Sequence, residues 1–224
     1  MLRYLGRLVC YTAIFFVTFS VSYVLVLRVV PVTITPLKLI NMFDKKPASM
    51  AVYSKWRSLN RIDRSMTLAA MASEDSRFME HNGFDWKAIR EAMRHNRRSE
   101  RIRGGSTISQ QTAKNVFCSH NRTYIRKAFE GYYTILIETL WSKRRIMEVY
   151  LNIIETRRNV YGVEATAQRF FNKKASELNS YDASMIATIL PSPNRMNLAR
   201  PSKYMQGRAA RIRAAMNNMP PVKL

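Results

Sequence analysis

One uncharged apolar run near the start of the chain restricts its fold more than any other feature. The run covers residues 8–27 (LVCYTAIFFVTFSVSYVLVL), and a helix of that length spans the roughly 30 Å hydrocarbon core of a bilayer. Arg3 and Arg7 precede the run, while Arg28 alone follows closely, so the positive-inside bias places the N-terminus in the cytoplasm. A cleaved signal peptide is the alternative, but its apolar region is usually about 7–15 residues and ends at a small-residue cleavage site. The pattern favours an uncleaved signal anchor.

The rest of the sequence predicts one globular unit. We expect a cytoplasmic tail at 1–7, a transmembrane anchor at 8–30, a linker at 31–52 and a single domain at 53–224, because about 190 residues suffice for one well-filled domain but hardly for two. Apolar residues recur at three- and four-residue spacing, and strongly alternating strand patterns are absent. This periodicity predicts a mainly α fold.

The charge points to an anionic partner outside the cytoplasm. The net charge is +22, and only three basic residues occur up to position 28, which leaves about +19 for the exported part. Nucleic acid is not expected there, so anionic lipid headgroups, lipid pyrophosphates and acidic wall polymers are the nearer candidates. Cys10 lies in the apolar run and Cys118 in the domain. No disulfide within the domain is therefore expected, and Cys118 is interpreted as a small buried residue.

Glu74 is the first candidate catalytic acid. It lies three residues after Met71 and four before Phe78, along an apolar helix face. Partial burial there would bring the proton affinity of its carboxylate nearer the working pH of a general base. The alternative is an ordinary ion pair with Arg77.

Helix signals frame two neighbouring segments. Gly83 predicts the end of the Glu74 helix, and Asp85 predicts the cap of the next one. After Gly104 and Gly105, Thr107 can cap a further helix with Gln110 as its capping-box partner. Such a helix start is a ready site for an anion or a sugar, although a capped surface helix after a flexible loop is the plainer interpretation.

Two basic segments lie near these helices. Residues 95–103 hold four arginines and predict either a solvated linker or a mobile flap over an anionic substrate. Further on, Arg126 and Lys127 precede Glu130 by four and three residues, so all three can share one helical face. They form either an intrahelical salt bridge or a cluster that holds a pyrophosphate with a positioned carboxylate or a divalent ion.

Together these residues resemble the monofunctional biosynthetic peptidoglycan glycosyltransferases, and the glycosyltransferase domain of class A penicillin-binding proteins. The resemblance covers roughly residues 60–200, and its four blocks occur in the family's order. The matching residues are Glu74-Asp75-Ser76-Arg77-Phe78 with His81, Gly83 and Asp85; Gly104-Gly105-Ser106-Thr107-Ile108 with Gln110-Gln111 and Lys114-Asn115; Arg126-Lys127 with Glu130; and Leu151-Asn152 followed by Tyr161-Gly162-Val163-Glu164-Ala165.

The resemblance implies a fold and a reaction. The fold is lysozyme-like, with a substrate cleft between a head and a smaller membrane-facing jaw. The reaction is polymerisation of lipid II into glycan strands: Glu74 takes the proton from the acceptor 4-hydroxyl, the oxygen attacks C1 of the donor with inversion, and undecaprenyl pyrophosphate leaves with help from Glu130. Residues implied to neutralise the donor diphosphate or to hold sugar and phosphate oxygens are Lys114, Arg122, Arg126, Lys127, Ser106, Gln110 and Gln111.

The resemblance also implies partners and a location. The partners are lipid II, the growing strand, the membrane surface and the cell-wall synthesis machinery, at the bacterial cytoplasmic (inner) membrane with the domain on the periplasmic or extracellular side. No organic cofactor and no nucleic acid are expected, and a divalent cation (Mg²⁺ or Mn²⁺) is allowed for. The sequence departs from the family in one turn: Arg157 and Arg158 stand in a segment that usually contains glycine, where Asn159 can tolerate a positive φ.

Two other functions remain open at this point. A lysozyme-like hydrolase or lytic transglycosylase uses a glutamate on the same fold, but it would be expected to place the acid beside a neutral sugar groove. A non-catalytic, membrane-anchored module could bind anionic polymer by charge alone. The cationic cluster around Glu130 favours the transferase.

Overall fold

The computed structural model describes residues 2–43, 52–99, 104–119, 123–222 and 224. Helices form most of this part of the chain, as the apolar periodicity predicts. In chain order they are α1 Leu2–Leu27, α2 Pro36–Phe43, α3 Arg64–Glu74, α4 Trp86–Asn96, α5 Ile108–Phe117, α6 Tyr124–Leu140, α7 Lys143–Ile153, α8 Val163–Phe171, α9 Ser180–Ile189 and α10 Lys203–Asn217.

Helix α1 contains the apolar run and is, within the described residues, the one helix long and apolar enough to cross a membrane. Its last turns dock on the globular part. Ser20 is hydrogen-bonded to Tyr132 of α6 at 2.6 Å, and the Trp141 indole donates to the Val24 carbonyl at 2.8 Å. The Arg145 guanidinium donates to the Leu27 carbonyl at 2.8 Å. The Leu27 carbonyl lies at the end of the helix, where it has no intrahelical donor, so Arg145 satisfies it. The Val24 carbonyl accepts from the Arg28 N–H as well as from Trp141.

The remaining helices form two packed groups. Helices α3, α9 and α10 pack on one another, while α5 packs between α6 and α7. Their shared core contains large, fully buried side chains, among them Met66, Phe78, Ile108, Ile137 and Ile146. Part of the segment predicted as a linker is helical, since α2 lies in it and packs against α5.

A small sheet joins the start of the domain to its middle. Strands β1 (Tyr53–Ser54), β2 (Glu155–Arg157) and β3 (Val160–Tyr161) pair in the order β1-β3-β2. The β1 strand is parallel to β3, and β2 is antiparallel to it. Asn159 has φ +64° in the turn before β3, so the turn is kept by an asparagine, as the sequence predicts.

Gly162 follows β3 at a close backbone contact. Its φ is +81°, and a Cβ there would lie 2.6 Å from the Asn152 carbonyl oxygen. The Asn152 side chain in turn binds the Arg57 backbone, accepting from its N–H and donating to its carbonyl, both at 2.7 Å. This pair of contacts ties α7 to the segment that precedes α3.

Two helix boundaries differ from those that the sequence pattern suggests. The helix that carries Glu74 ends at Glu74 itself and not at Gly83, because Asp75 leaves helical geometry (φ −160°, ψ 76°) and turns its carboxylate toward another helix. The apolar pattern from Tyr133 to Leu151 reads as one long helix, but the chain breaks it at Trp141. There Ser142 accepts from the Arg145 N–H and caps α7, as a serine at a helix start favours.

Candidate functional site

Glu74 is the last residue of α3, and its half-buried carboxylate has two partners on the chain. The Gln111 side-chain amide donates to Glu74 Oε2 at 3.0 Å, and the Ser73 hydroxyl donates to Oε1 at 3.2 Å. The alternative pairing with Arg77 is excluded, because Arg77 binds Asp85, with Nε donating at 3.0 Å. Glu74 is therefore an acid without a cationic partner among these contacts, held by neutral donors.

Tyr150 extends this arrangement and was missed by sequence reasoning, which placed it in an apolar helix pattern. Its side chain is fully buried on α7, and its hydroxyl lies 3.5 Å from Gln111 Oε1. Burial raises the pKa of Tyr150 well above its ordinary value, and the nearby Glu74 and Asp75 carboxylates add to the rise. The phenol stays protonated and can donate to Gln111, which leaves the Gln111 amide hydrogens for Glu74.

The N-terminus of α5 is capped as the sequence predicts, but it is closed to a ligand. Thr107 and Gln110 form a capping box. The Asp75 carboxylate accepts from the Ile108 N–H at 3.0 Å and also binds His81 at 2.9 Å. The chain's own carboxylate thus occupies the position that an anion would take at a free helix start. The Gln110 oxygen accepts from the Thr107 N–H at 3.0 Å, so this predicted substrate ligand has a structural bond.

A cavity of about 390 Å³ opens beside Glu74 and is called the Glu74 cleft. It is bounded by the end of α3, the first turns of α4 and residues 104–107, and Ser106 lies exposed on its wall. The predicted cap of α4 is confirmed, since Asp85 accepts from the Ala88 N–H at 2.7 Å. In the predicted flap, residues 100–103 lie outside the described residues.

The second group of predicted residues forms a cation cluster, here Lys114, Arg126 and Lys127 around the carboxylate of Glu130. Arg126 binds Glu130 at 2.6 Å and Lys127 binds its other oxygen, while Glu130 is 3 % exposed. Burial lowers the pKa of Lys114; Glu130 opposes this shift, and Arg126 and Lys127 add to it. Arg122 lies outside the described residues.

Helix α5 connects the two groups. Gln111 and Lys114 are three residues apart on it, which corresponds to a rise of about 4.5 Å on the same helix face. Gln111 reaches the Glu74 carboxylate, and Lys114 lies in the field of Glu130. A carboxylate held by a neutral amide thus lies roughly one helical turn along α5 from a set of cations.

The other polar residues of this region hold the scaffold. Glu138 binds Lys143 at 2.8 Å and accepts from Ser109, and Lys143 also donates to the His81 carbonyl at 2.6 Å. Glu148 accepts from the Leu59 N–H at 2.8 Å. These contacts are structural hydrogen bonds and ion pairs of the scaffold.

A resident divalent ion does not fit the side chains of the cation cluster. Both oxygens of Glu130 are engaged by Arg126 and Lys127, and among the described residues no three His, Cys, Asp or Glu side chains gather as a metal site. Mg²⁺ in phosphate-binding sites is commonly held by one or two carboxylates together with substrate phosphates. The chain's own cations thus occupy the carboxylate that a divalent ion would need.

Comparison with known proteins identifies the family. Residues 42–217 match the family model described as Transglycosylase. A biosynthetic peptidoglycan transglycosylase of Bdellovibrio bacteriovorus is 48 % identical over 201 residues, covering 89 % of this chain and 80 % of that protein. Proteins of the same name from Bacteroides thetaiotaomicron (45 %, covering 98 % and 88 %) and Pseudomonas syringae (42 %, covering 98 % and 94 %) match almost the whole chain. The chain belongs to the transglycosylase family.

Proposed function

We propose that this chain is a peptidoglycan glycosyltransferase that polymerises lipid II into β-1,4-linked glycan strands and releases undecaprenyl pyrophosphate. The observation that carries the proposal is the pair of groups on α5: Gln111 binds the Glu74 carboxylate, and Lys114 lies one turn further on, near Glu130. Membership of the family and the shared name of relatives at 42–48 % identity support it.

In the proposed reaction Glu74 is the general base. It takes the proton of the acceptor 4-hydroxyl while that oxygen forms a bond to C1 of the donor sugar. The bond between C1 and the diphosphate oxygen breaks on the opposite face, and its electron pair leaves with the diphosphate. The configuration at C1 is inverted, and no oxidant or further reactant is needed. Gln111 keeps the carboxylate in place, because its amide has a fixed partner in Tyr150.

The cation cluster is proposed to stabilise the leaving group. Preorganised cations in a water-poor site neutralise developing charge without reorganisation at the moment of reaction. Lys114, Arg126 and Lys127 supply this charge, and Glu130 assists departure by holding Arg126 and Lys127 in position. Since the cluster is complete without a metal, removal of divalent ions with a chelator is expected to lower the rate less than replacement of Lys114 by alanine does.

Helix α1 supports a proposal about the location of the protein. We propose a single-pass protein of the bacterial cytoplasmic (inner) membrane with its N-terminus inside and the catalytic domain on the periplasmic or extracellular side. Its partners there are lipid II, the growing strand, the anionic lipid surface and the cell-wall synthesis machinery. The net charge of +22 suits an anionic surface.

The main alternative is a hydrolase or lytic enzyme that shortens finished glycan. A matched pair of reactions separates it from the transferase: the full chain is incubated with lipid II alone, and with purified glycan strands alone. We expect strands to lengthen in the first reaction and to stay intact in the second. Shortened strands together with unused lipid II would refute the proposal.

A further inference from the structure

The hydroxyl of Ser73, the residue before Glu74, lies where three helices meet. Ser73 belongs to α3, which packs against α9 and α10. Its hydroxyl oxygen is 3.2 Å from two acceptors, Glu74 Oε1 and the Ala187 carbonyl of α9. From α10, a terminal guanidinium nitrogen of Arg208 donates to the Ser73 oxygen at 3.2 Å. Because a serine carries one hydroxyl hydrogen, Glu74 and Ala187 compete for it.

The Ala187 carbonyl is open to this hydrogen because of a proline. Within a helix a carbonyl accepts from the N–H four residues further on, but that residue is Pro191, which has no N–H. The Leu190 N–H donates to the Ala187 carbonyl at 3.4 Å, which is long for an N–H···O bond. A neutral carbonyl with one long bond therefore competes with the Glu74 carboxylate.

Arg208 favours the bond to Glu74. Its guanidinium donates to the Ser73 hydroxyl, and the hydroxyl donates onward to the carboxylate. Hydrogen bonds that run in one direction polarise one another, and a bond to a charged acceptor is roughly twice as strong as one between neutral groups. A chain that begins at a cation and ends at an anion is thus favoured over one that ends at the Ala187 carbonyl.

The surroundings of Arg208 support this interpretation. Its Nε is buried without a hydrogen-bond partner, and Ser73 is its one hydrogen-bond partner in the described part of the chain. Burying part of a guanidinium without a carboxylate partner is unfavourable, so a buried donor of this kind calls for an explanation. Among the described residues, the lining of the Glu74 cleft includes Ser73 but not Arg208. Arg208 therefore reaches the cleft through Ser73.

The two oxygens of Glu74 are held by two separate chains of hydrogen bonds. Oε2 accepts from Gln111, which has Tyr150 as its partner. Oε1 accepts from Ser73, which has Arg208 as its partner. An ionised carboxylate offers about four lone-pair sites, so the two chains leave room for the proton of a hydroxyl in the cleft. Together they restrict rotation of the carboxylate about its terminal bond.

We propose that Arg208 is a positioning residue for Glu74: it keeps the Ser73 hydrogen on Glu74 Oε1 and so holds the carboxylate toward the acceptor hydroxyl. The proposal rests on the proposed function, in which Glu74 is the base. Arg208 acts through Ser73 and does not touch the substrate. Loss of Arg208 therefore misplaces the base without removing a substrate contact, which lowers kcat and leaves KM for lipid II unchanged.

The test is a double-mutant cycle on the rate of lipid II polymerisation by the full chain in detergent micelles. Arg208→Met removes the charge and the donors but keeps a long, unbranched side chain. It is expected to lower kcat about tenfold, with KM within about twofold of wild type. Ser73→Ala should lower kcat to a similar degree. The double variant should be no more than about twofold slower than Ser73→Ala, because both substitutions break the same chain.

Arg211→Met is the matched control, since Arg211 is an exposed arginine three residues further along α10. It should leave kcat and KM unchanged. Each kcat is referred to the concentration of enzyme that binds lipid II, so that a misfolded fraction does not lower it.

The proposal is overturned if Arg208→Met keeps kcat within about twofold of wild type, or if the loss appears in KM and not in kcat. It is also overturned if the losses in Arg208→Met and Ser73→Ala multiply in the double variant, or if Arg211→Met loses as much as Arg208→Met. Absence of polymerisation by the wild type would refute the proposed function. Normal polymerisation by the wild type with any of the other outcomes would refute the role of Arg208 alone.

Discussion

Lys114 is a cation of the cluster whose pKa is lowered by its surroundings. Burial lowers its pKa, the Glu130 carboxylate works against that shift, and the positive charges of Arg126 and Lys127 reinforce it. The lysine therefore loses its proton at a lower pH than an exposed lysine does. In the proposed reaction this loss removes one charge from the diphosphate site as the pH rises.

Replacing Lys114 by arginine is expected to move the alkaline limb of kcat/KM to higher pH, because a guanidinium keeps its charge throughout the range. The maximal rate should fall by less than tenfold, since the charge is retained. Lys203→Arg, an exposed substitution on α10, should leave the pH profile unchanged. An alkaline limb that stays in place in Lys114→Arg would show that another group causes it.

Residues whose partners are close in sequence could be predicted, and those with distant partners could not. Thr107 and Gln110 are three residues apart, so their capping box is visible in the sequence. The Arg126, Lys127 and Glu130 contacts are visible for the same reason. In contrast, Gln111 reaches Glu74 across 37 residues and Tyr150 across 39. No local pattern encodes these bonds, because they depend on how α3, α5 and α7 pack.

At the scale of elements, the start of α5 is fixed by a carboxylate from another segment. Asp75 binds the Ile108 N–H and His81 at once, and it is 7 % exposed. The Thr107 hydroxyl adds a bond to the Gly83 carbonyl at 2.6 Å. These bonds hold the turn that follows Glu74 against the helix that carries Gln111, so the position of the Glu74 carboxylate depends on them.

Asp75→Ala is expected to lower the free energy of unfolding by about 2–4 kcal/mol, because it removes a charged cap and leaves buried donors unpaired. Asp63→Ala is the matched control: Asp63 caps α3 through the Ser65 N–H and makes no further side-chain bond among the described contacts. Asp63→Ala should lower the free energy of unfolding by about 1 kcal/mol. Chemical unfolding in detergent measures both. Equal costs for the two variants would contradict the account of the α5 cap.

Element boundaries were predicted where capping residues mark them. Asp85 and Thr107 begin their helices as expected. The prediction that Gly83 ends a helix was wrong. Gly83 has a positive φ of 91°, but it lies in a turn that packs against Thr134 and Glu138. The strands escaped prediction because they are two or three residues long, which is too short for an alternating pattern to be recognised.

At the scale of the whole molecule, α1 is joined to the domain and is not a free tether. Trp141 and Arg145 hold the Val24 and Leu27 carbonyls, and Glu148 supports Arg145 through an ion pair. The length of the apolar run predicted helix α1. Its docking on the domain could not be predicted, because it depends on tertiary contacts with α6 and α7. In the proposed topology, this docking fixes the height of the Glu74 cleft above the membrane.

This arrangement predicts which parts of the chain face outward. Tyr204→Cys, at a half-exposed position on α10, should react with a membrane-impermeant maleimide in intact spheroplasts. Leu5→Cys, near the start of α1, should react only after lysis. The native cysteines do not compete, because Cys10 lies in the apolar run and Cys118 is buried. Labelling of Leu5→Cys in intact cells would reverse the proposed orientation.

The central claim, that Glu74 is the base of a lipid II polymerase, is tested most directly by the rate of glycan formation in Glu74→Gln. The substitution keeps the size of the side chain and its contact with Gln111 but removes the base. Glu91→Gln, a second acid of the Glu74 cleft, is the control. We predict a loss of polymerisation of at least a hundredfold in Glu74→Gln with lipid II binding within about threefold of wild type, and a rate near wild type in Glu91→Gln. Polymerisation by Glu74→Gln at more than a tenth of the wild-type rate would contradict the account.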